Sequence, residues 1–200
     1  FKPDIVFHLA SKNNPYTKRK KESFLINYKF NYDCSKNLID AIIEKKINCK
    51  FIFAGSSLMF GNMKKKVNEK DVFKSDDYYA KYKIDVYKYL NTLKKHNFFQ
   101  STTAILFNHD SIYRGKKFLI PKLITASSKK NYKYLKKIFE HNISGDFSHA
   151  DDICDGLYKL ALKKKMVSKI ILSSNKRSFI NDIIIKLNKK FKSQKFDRSK

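Results

Sequence analysis

The sequence predicts an α/β fold built on a parallel sheet. Short apolar runs of strand length alternate with long segments of helical periodicity. That alternation implies crossover helices, which set neighbouring strands parallel through right-handed connections. Two of the runs close in small residues, at Ala10 and at Gly55-Ser56-Ser57, as buried parallel strands do where they leave the sheet.

Asp4–Ala10 is the first expected strand. From about Glu22 to Lys46 the apolar positions take helical spacing, with Leu38, Ile39, Ile42 and Ile43 in one stripe. Lys50–Ala54 is the second strand, and the polar, lysine-rich stretch Met63–Lys74 is a loop. Asp76 and Asp77 open a helix running to about Lys95, because carboxylates favour the positive end of the helix dipole. Thr102–Phe107 is a third strand. Beyond Asn108 the pattern loosens. A short helix is expected over Lys116–Ser127, a strand near Lys137–His141 and a helix over Ala150–Lys163. A strand at Ser168–Leu172 and an amphipathic helix over Phe179–Leu187 follow, and the polar tail after Lys190 is expected to fray.

The 200 residues suffice for one domain with a sizeable core, or for a domain plus a lobe. Hydrophobic content of 42% and aromatic content of 14% argue against disorder despite 31% charged residues. No apolar run approaches the ~18 residues that span a bilayer, so no membrane partner is expected. Cys34, Cys49 and Cys154 are odd in number and lack CxxC or Cys/His spacing. Structural thiols in a reduced, cytoplasmic protein follow, with no metal site.

The formal charge of +26 raises nucleic-acid binding. Yet every basic residue is lysine except Arg19, Arg114, Arg177 and Arg198, and the lysines are scattered through every segment. Specific nucleic-acid readers rely on arginine for bidentate contacts. A solvated lysine surface is the favoured reading, and it also attracts phosphorylated ligands.

One constellation carries chemistry. Phe51–Ser57 is an apolar run ending in hydroxyls, and about twenty residues later Tyr79 and Lys83 sit four apart on an expected helix. In an open parallel sheet, ligands bind at the carboxyl ends of strands, where Ser56 and Ser57 lie. A phenol is a poor base at neutral pH, but a neighbouring ammonium favours phenolate. A serine hydroxyl can hold the same substrate oxygen. Against this, Tyr-x-x-x-Lys occurs five times, from Tyr16, Tyr32, Tyr79, Tyr113 and Tyr132, and the pair at 79 and 83 also suits a solvated helix face. Gly55, Gly61, Gly115, Gly145 and Gly156 build no GxGxxG. A dinucleotide-binding sheet would therefore have its first βα unit ahead of Phe1, and the 200 residues alone are expected to bind cofactor weakly.

The run ending His8-Leu9-Ala10, Asn31, the Ser56-Ser57 turn and Tyr79/Lys83, in that order, resemble extended short-chain dehydrogenases/reductases of the epimerase/dehydratase type. Leu106–Gly115 (LFNHDSIYRG) and Gly145–Asp152 (GDFSHADD) are similar to the LFNHES-x-x-RG and RDWGHAKD segments of the GDP-mannose 4,6-dehydratases. The resemblance implies a Rossmann-like, doubly wound sheet over residues 1–110, lacking its first βα units, and a small substrate-binding lobe over 111–200. It implies a homo-oligomeric nucleotide-sugar enzyme, with GDP-mannose as substrate and bound NADP (or NAD) reduced and reoxidised in one cycle. By that likeness Tyr79 is the base at the sugar 4-hydroxyl, Lys83 holds the nicotinamide ribose and Ser56 is the catalytic hydroxyl. Leu9, Ala10, Ser11, His109 and Arg114 line the cofactor, while Ser57 and Asn108 face the substrate. Arg114 reads equally as a phosphate fork or a surface arginine, and His149 and Asp152 read as active-site groups or, in preference, as residues that cap and orient the helix they begin. Three positions depart from the family pattern. The glutamate that acts at C5 during loss of water is Leu58, the arginine opening the RDWGHAKD segment is Gly145, and a glycine-threonine pair reads Cys34-Ser35. An epimerase or reductase needs no residue at Leu58, and a non-catalytic remnant is the further alternative.

Overall fold

A computed structural model describes residues 2–12, 21–62, 65–75 and 77–191, with the side chains of 21–23 left aside. Its chain divides into two compact units: residues up to Phe107 with Asp152–Leu172, and Asn108–Asp151 with the residues from Ser173 onward.

The first unit holds a four-stranded parallel sheet in the order β1-β2-β3-β6, formed by Ile5–His8, Cys49–Ser56, Phe99–Leu106 and Lys169–Leu172. Alternation along β2 sends Phe51 and Phe53 to one face and Ile52 to the other. Phe51 and Phe53 pack with Ile39 and Ile42 of α1 (Lys21–Glu44) and with Tyr82, Val86 and Leu90 of α2 (Tyr78–Thr92). Ile52 packs with Ile153, Leu157 and Leu160 of α5 (Ala150–Leu162). Helices thus cover both faces, and the doubly wound sheet is present.

Element boundaries have local causes. Asp77 caps α2, its Oδ1 accepting the Tyr79 and Ala80 N–H groups at 2.9 and 3.0 Å, so the expected acidic start is seen one residue in; Asp76 lies outside the described residues. Strand β2 runs two residues beyond the expected Ala54, to Ser56. Gly55 permits this, because a Cβ there would meet Thr103 Cγ2 at 2.9 Å and the Ala104 carbonyl at 3.2 Å. At the far edge, Glu69 accepts the Ile171 N–H at 3.0 Å, and Lys169 donates to Asp71 O at 3.0 Å while lying 4.5 Å from the Phe73 ring. The 65–75 loop therefore occupies an edge of β6 that would otherwise expose unpaired amides.

The second unit has a small sheet, β4-β5-β7 (Asn108–Asp110, Ser144–His149, Arg177–Phe179), and three helices, α3 (Leu119–Ser128), α4 (Tyr132–Glu140) and α6 (Ile180–Lys190). Its core joins Leu123, Ala126, Leu135, Ile180 and Ile184. The strand expected near Lys137–His141 is instead the end of α4. Asn131 caps that helix by accepting the Tyr134 N–H at 3.2 Å, and Leu135 is fully buried on its inner face. The frayed tail expected after Lys190 falls largely outside the described residues.

Candidate active site

The register of β1 on β2 sets His8 beside Phe53, so Leu9, Ala10 and Ser11 leave the sheet at the same end as Ser56. All three are exposed. The turn they form is tied back to α1. Asn31, buried, accepts the Lys12 N–H at 2.7 Å and donates to the Lys12 carbonyl at 3.0 Å. Ser35 hydrogen-bonds His8 Nε2 at 2.8 Å and donates to Asn31 O at 2.8 Å. The departure from glycine-threonine at 34–35 thus leaves a hydroxyl that satisfies a buried histidine. Burial, with the Lys83 charge nearby, holds His8 below its ordinary pKa and hence neutral.

At the end of β2, Ser56 is half-buried and caps a single 3-10 turn, Ser57–Phe60. Its Oγ accepts the Leu58 N–H at 3.2 Å and its own N–H points to Met59 Sδ at 3.4 Å. Ser57 is half-buried and opens the turn. Leu58, where the resemblance would place a glutamate, is 51% exposed.

Lys83 is the unusual group. It comes from the first half of α2 yet is only 3% exposed. Its ammonium donates to the Ala54 carbonyl at 2.5 Å and lies 5.1 Å from the Tyr79 ring centre and 5.2 Å from those of Phe53 and Tyr82. Burial pulls its pKa from the ordinary 10.5 down to about 7, while the carbonyl and the three ring faces favour the charged form. Tyr79 is half-buried and meets Tyr82 edge-on at 5.6 Å. Tyr82, almost fully buried, shares a 2.6 Å hydrogen bond with Ser11. In the first unit the structure therefore brings Tyr79, Lys83 and Ser11 into one cluster, next to the strand that ends in Ser56. Sequence reasoning missed Tyr82, although its offset of three from Tyr79 places both on one helix face.

The remaining candidates belong to the second unit. Asn108 is exposed and its Nδ2 donates to the Asp146 carbonyl at 3.2 Å. His109 is half-buried in β4, opposite Ser148. The Arg114 guanidinium stacks 3.8 Å over the Phe118 ring, with Nε 3.5 Å from Asp110 Oδ1. That separation is an ion pair without hydrogen-bond geometry. Burial raises the Asp110 pKa and the Arg114 charge opposes the rise. At Gly145 a Cβ would meet Asn108 Nδ2 and the Phe147 ring, each at 3.3 Å, so a bulkier residue would crowd the β4–β5 pairing. His149 is exposed and its Nδ1 accepts the Asp151 N–H at 3.3 Å, which is a capping role.

The sequence model of the GDP-mannose 4,6 dehydratase family matches residues 1–199. The chain belongs to this family. A curated member, GDP-mannose 4,6 dehydratase 1 of Arabidopsis thaliana, is 25% identical over 170 residues, which cover 82% of this chain and 46% of that protein. The chain thus spans about half the length of the curated relative it matches. Among solved structures, RMD from Pseudomonas aeruginosa complexed with NADPH superposes with a TM-score of 0.81 at 16% identity, over 97% of this chain and 66% of that one. UDP-glucuronic acid 4-epimerase from Bacillus cereus, in complex with UDP-glucuronic acid and NAD, gives 0.79 at 20% identity, over 96% and 60%. At these identities the two structures establish the Rossmann-type fold alone. Among the described residues, no helix is long and apolar enough to cross a membrane.

Proposed function

We propose that the chain carries the base-catalytic half of a nucleotide-sugar enzyme that oxidises a hexose at C4 with NADP or NAD. Family membership favours GDP-mannose as the substrate and a 4,6-dehydratase as the reaction. The observation that carries the reading is the burial of Lys83 against Tyr79 at the carboxyl end of β2. An ammonium there stabilises phenolate, so Tyr79 accepts the proton of the sugar 4-hydroxyl. Ser56 hydrogen-bonds the same oxygen and holds it during C–H cleavage. The nicotinamide, when bound, supplies the hydride acceptor and later the hydride donor. The fit is supported by the small, exposed Ala10 and Ser11 at the strand end, while the role of Lys83 at the ribose rests on the family resemblance. Roles for Leu9 in cofactor contact, for Ser57 and Asn108 at substrate, and for His109 and Arg114 at cofactor rest on the family resemblance. A homo-oligomer in the cytoplasm, its three cysteines reduced, completes the reading.

A second reading rests on Leu58. Leucine transfers no proton, so the loss of water from C5 and C6 lacks its family base, whereas epimerisation or reduction at C4 requires only Ser56, Tyr79 and Lys83. Incubating the intact natural protein with GDP-mannose and NADP separates the two. A 4-keto-6-deoxy product supports the dehydratase. An epimerised sugar, or reduced cofactor formed without that product, supports the second, as does reduction of a 4-keto sugar nucleotide supplied with NADPH. Sugar nucleotides left unchanged, with no reduced cofactor formed from GDP-mannose and no NADPH consumed with the 4-keto sugar, refute both.

A further inference from the structure

Tyr82 has no part in the proton transfer, yet it is the largest fully buried side chain among the described residues. A buried phenol needs a hydrogen-bond partner. Tyr82 finds one 71 residues back in the chain, at Ser11. Ser11 itself is exposed, so the phenol reaches from the core to the surface turn that follows β1. On the other side of the same turn, Asn31 clamps both backbone groups of Lys12. The Tyr82 ring also lies edge-on to Tyr79 at 5.6 Å and 5.2 Å from the Lys83 ammonium. One side chain therefore touches the proton-transfer pair and the cofactor-lining turn together.

We propose that Tyr82 is a positioning residue for dinucleotide binding: its hydroxyl latches Ser11 and so fixes the Leu9–Lys12 turn, while its ring packs the Tyr79/Lys83 pair. The inference rests on the functional reading above and turns Ser11 from a ligand contact into one half of a latch. The physical gain is preorganisation. A turn already held in one conformation loses less entropy when a ligand settles on it. Bulk in the core would be served by phenylalanine, so the hydroxyl is the part that does the latching.

The test measures NADPH affinity, by the fluorescence change on binding, in the intact natural protein and in Tyr82→Phe, Ser11→Ala and the double variant. Each single change is expected to weaken binding about five-fold, the worth of one net hydrogen bond, and the double variant to bind no more weakly than either single one. Losses that multiply in the double variant, or singles that bind like wild type, overturn the latch. Ser11→Ala lies on the surface and keeps the fold, so the test stands even where Tyr82→Phe is destabilised. A wild-type protein that binds neither NADPH nor NADH overturns the functional reading, and this inference with it. Normal wild-type binding with unchanged variants overturns this inference alone.

Discussion

Replacing Lys83 by methionine is predicted to make the protein more stable while destroying the proposed activity. The lysine is 3% exposed, and its pKa is drawn from 10.5 to about 7 by burial. Each pH unit of depression corresponds to ~1.4 kcal/mol, so holding the ammonium in the fold costs at most ~5 kcal/mol. Methionine removes that cost and keeps most of the side-chain length. It also leaves the Ala54 carbonyl without its donor, a loss of ~1 kcal/mol. The net expectation near neutral pH is a gain of ~3 kcal/mol. The sign depends on pH. Between about 7 and 10.5 the unfolded chain keeps a proton that the folded chain has released, so wild-type stability rises with pH through that window. Below it the penalty is full, and above it the penalty is gone. Urea unfolding of both proteins at about pH 6 and about pH 10 should therefore show the methionine variant ahead at the lower pH and level or behind at the higher one. The many other lysines titrate equally in both proteins and cancel. A variant less stable at about pH 6, or a difference that ignores pH, would refute the buried-ammonium argument.

Tyr79→Phe removes the proposed base and keeps the ring that faces Lys83, so turnover should fall by ~10²-fold or more with the urea midpoint little changed; full turnover would remove Tyr79 from the mechanism. Leu58→Glu restores a carboxylate at a half-exposed position, and in the intact protein it should create or raise the 4-keto-6-deoxy product from GDP-mannose, read by chromatography of the sugar nucleotides. No increase, with oxidation intact, would place the missing acid/base elsewhere. Asn31→Ala removes both hydrogen bonds to the Lys12 backbone and should cost ~1–2 kcal/mol in urea unfolding, the released groups being near solvent. A neutral result would mean that the turn after β1 is held without the clamp.

Most of the first unit was legible because its elements are long and its faces consistent. Leu38, Ile39, Ile42 and Ile43 announced α1, and Ile39 and Ile42 do enter the core. Asp77 announced α2 through an interaction that is local in sequence. The second unit was legible in part. Strands β4 and β7 are three residues each, too short to show any period, and β5 is half-buried from Ser144 to Ser148, without alternation. Around Ile138 and Phe139 the apolar pair suits strand and helix equally. What decides is the Asn131 cap and the packing of Leu135 against a core that also draws on α3 and α6, which is tertiary information. The charge also acquired structure. Lys50 donates to the carbonyls of Ala161 and Lys163 at the end of α5, so part of the lysine excess finishes helices and strand edges.

The site shows where sequence stops. Five tyrosine-lysine pairs share one spacing, and in a chain this rich in lysine the spacing has little weight. Burial separates them. Lys36 is tied to Asp40 in an exposed ion pair on α1. Lys117 and Lys136 are exposed, and the pair beginning at Tyr16 lies outside the described residues. Only Lys83 of the described pairs gives up its hydration, and it does so for a strand carbonyl 29 residues away and for aromatic faces that include Phe53. A buried cation costs stability unless something is gained from its charge. Here the ammonium sits against the ring of Tyr79, where positive charge favours phenolate, and the same helix turn sends Tyr82 to Ser11. The cost of burying Lys83 is thus what sets the proposed pair apart from the other described tyrosine-lysine spacings, and it is a cost that the methionine variant measures directly.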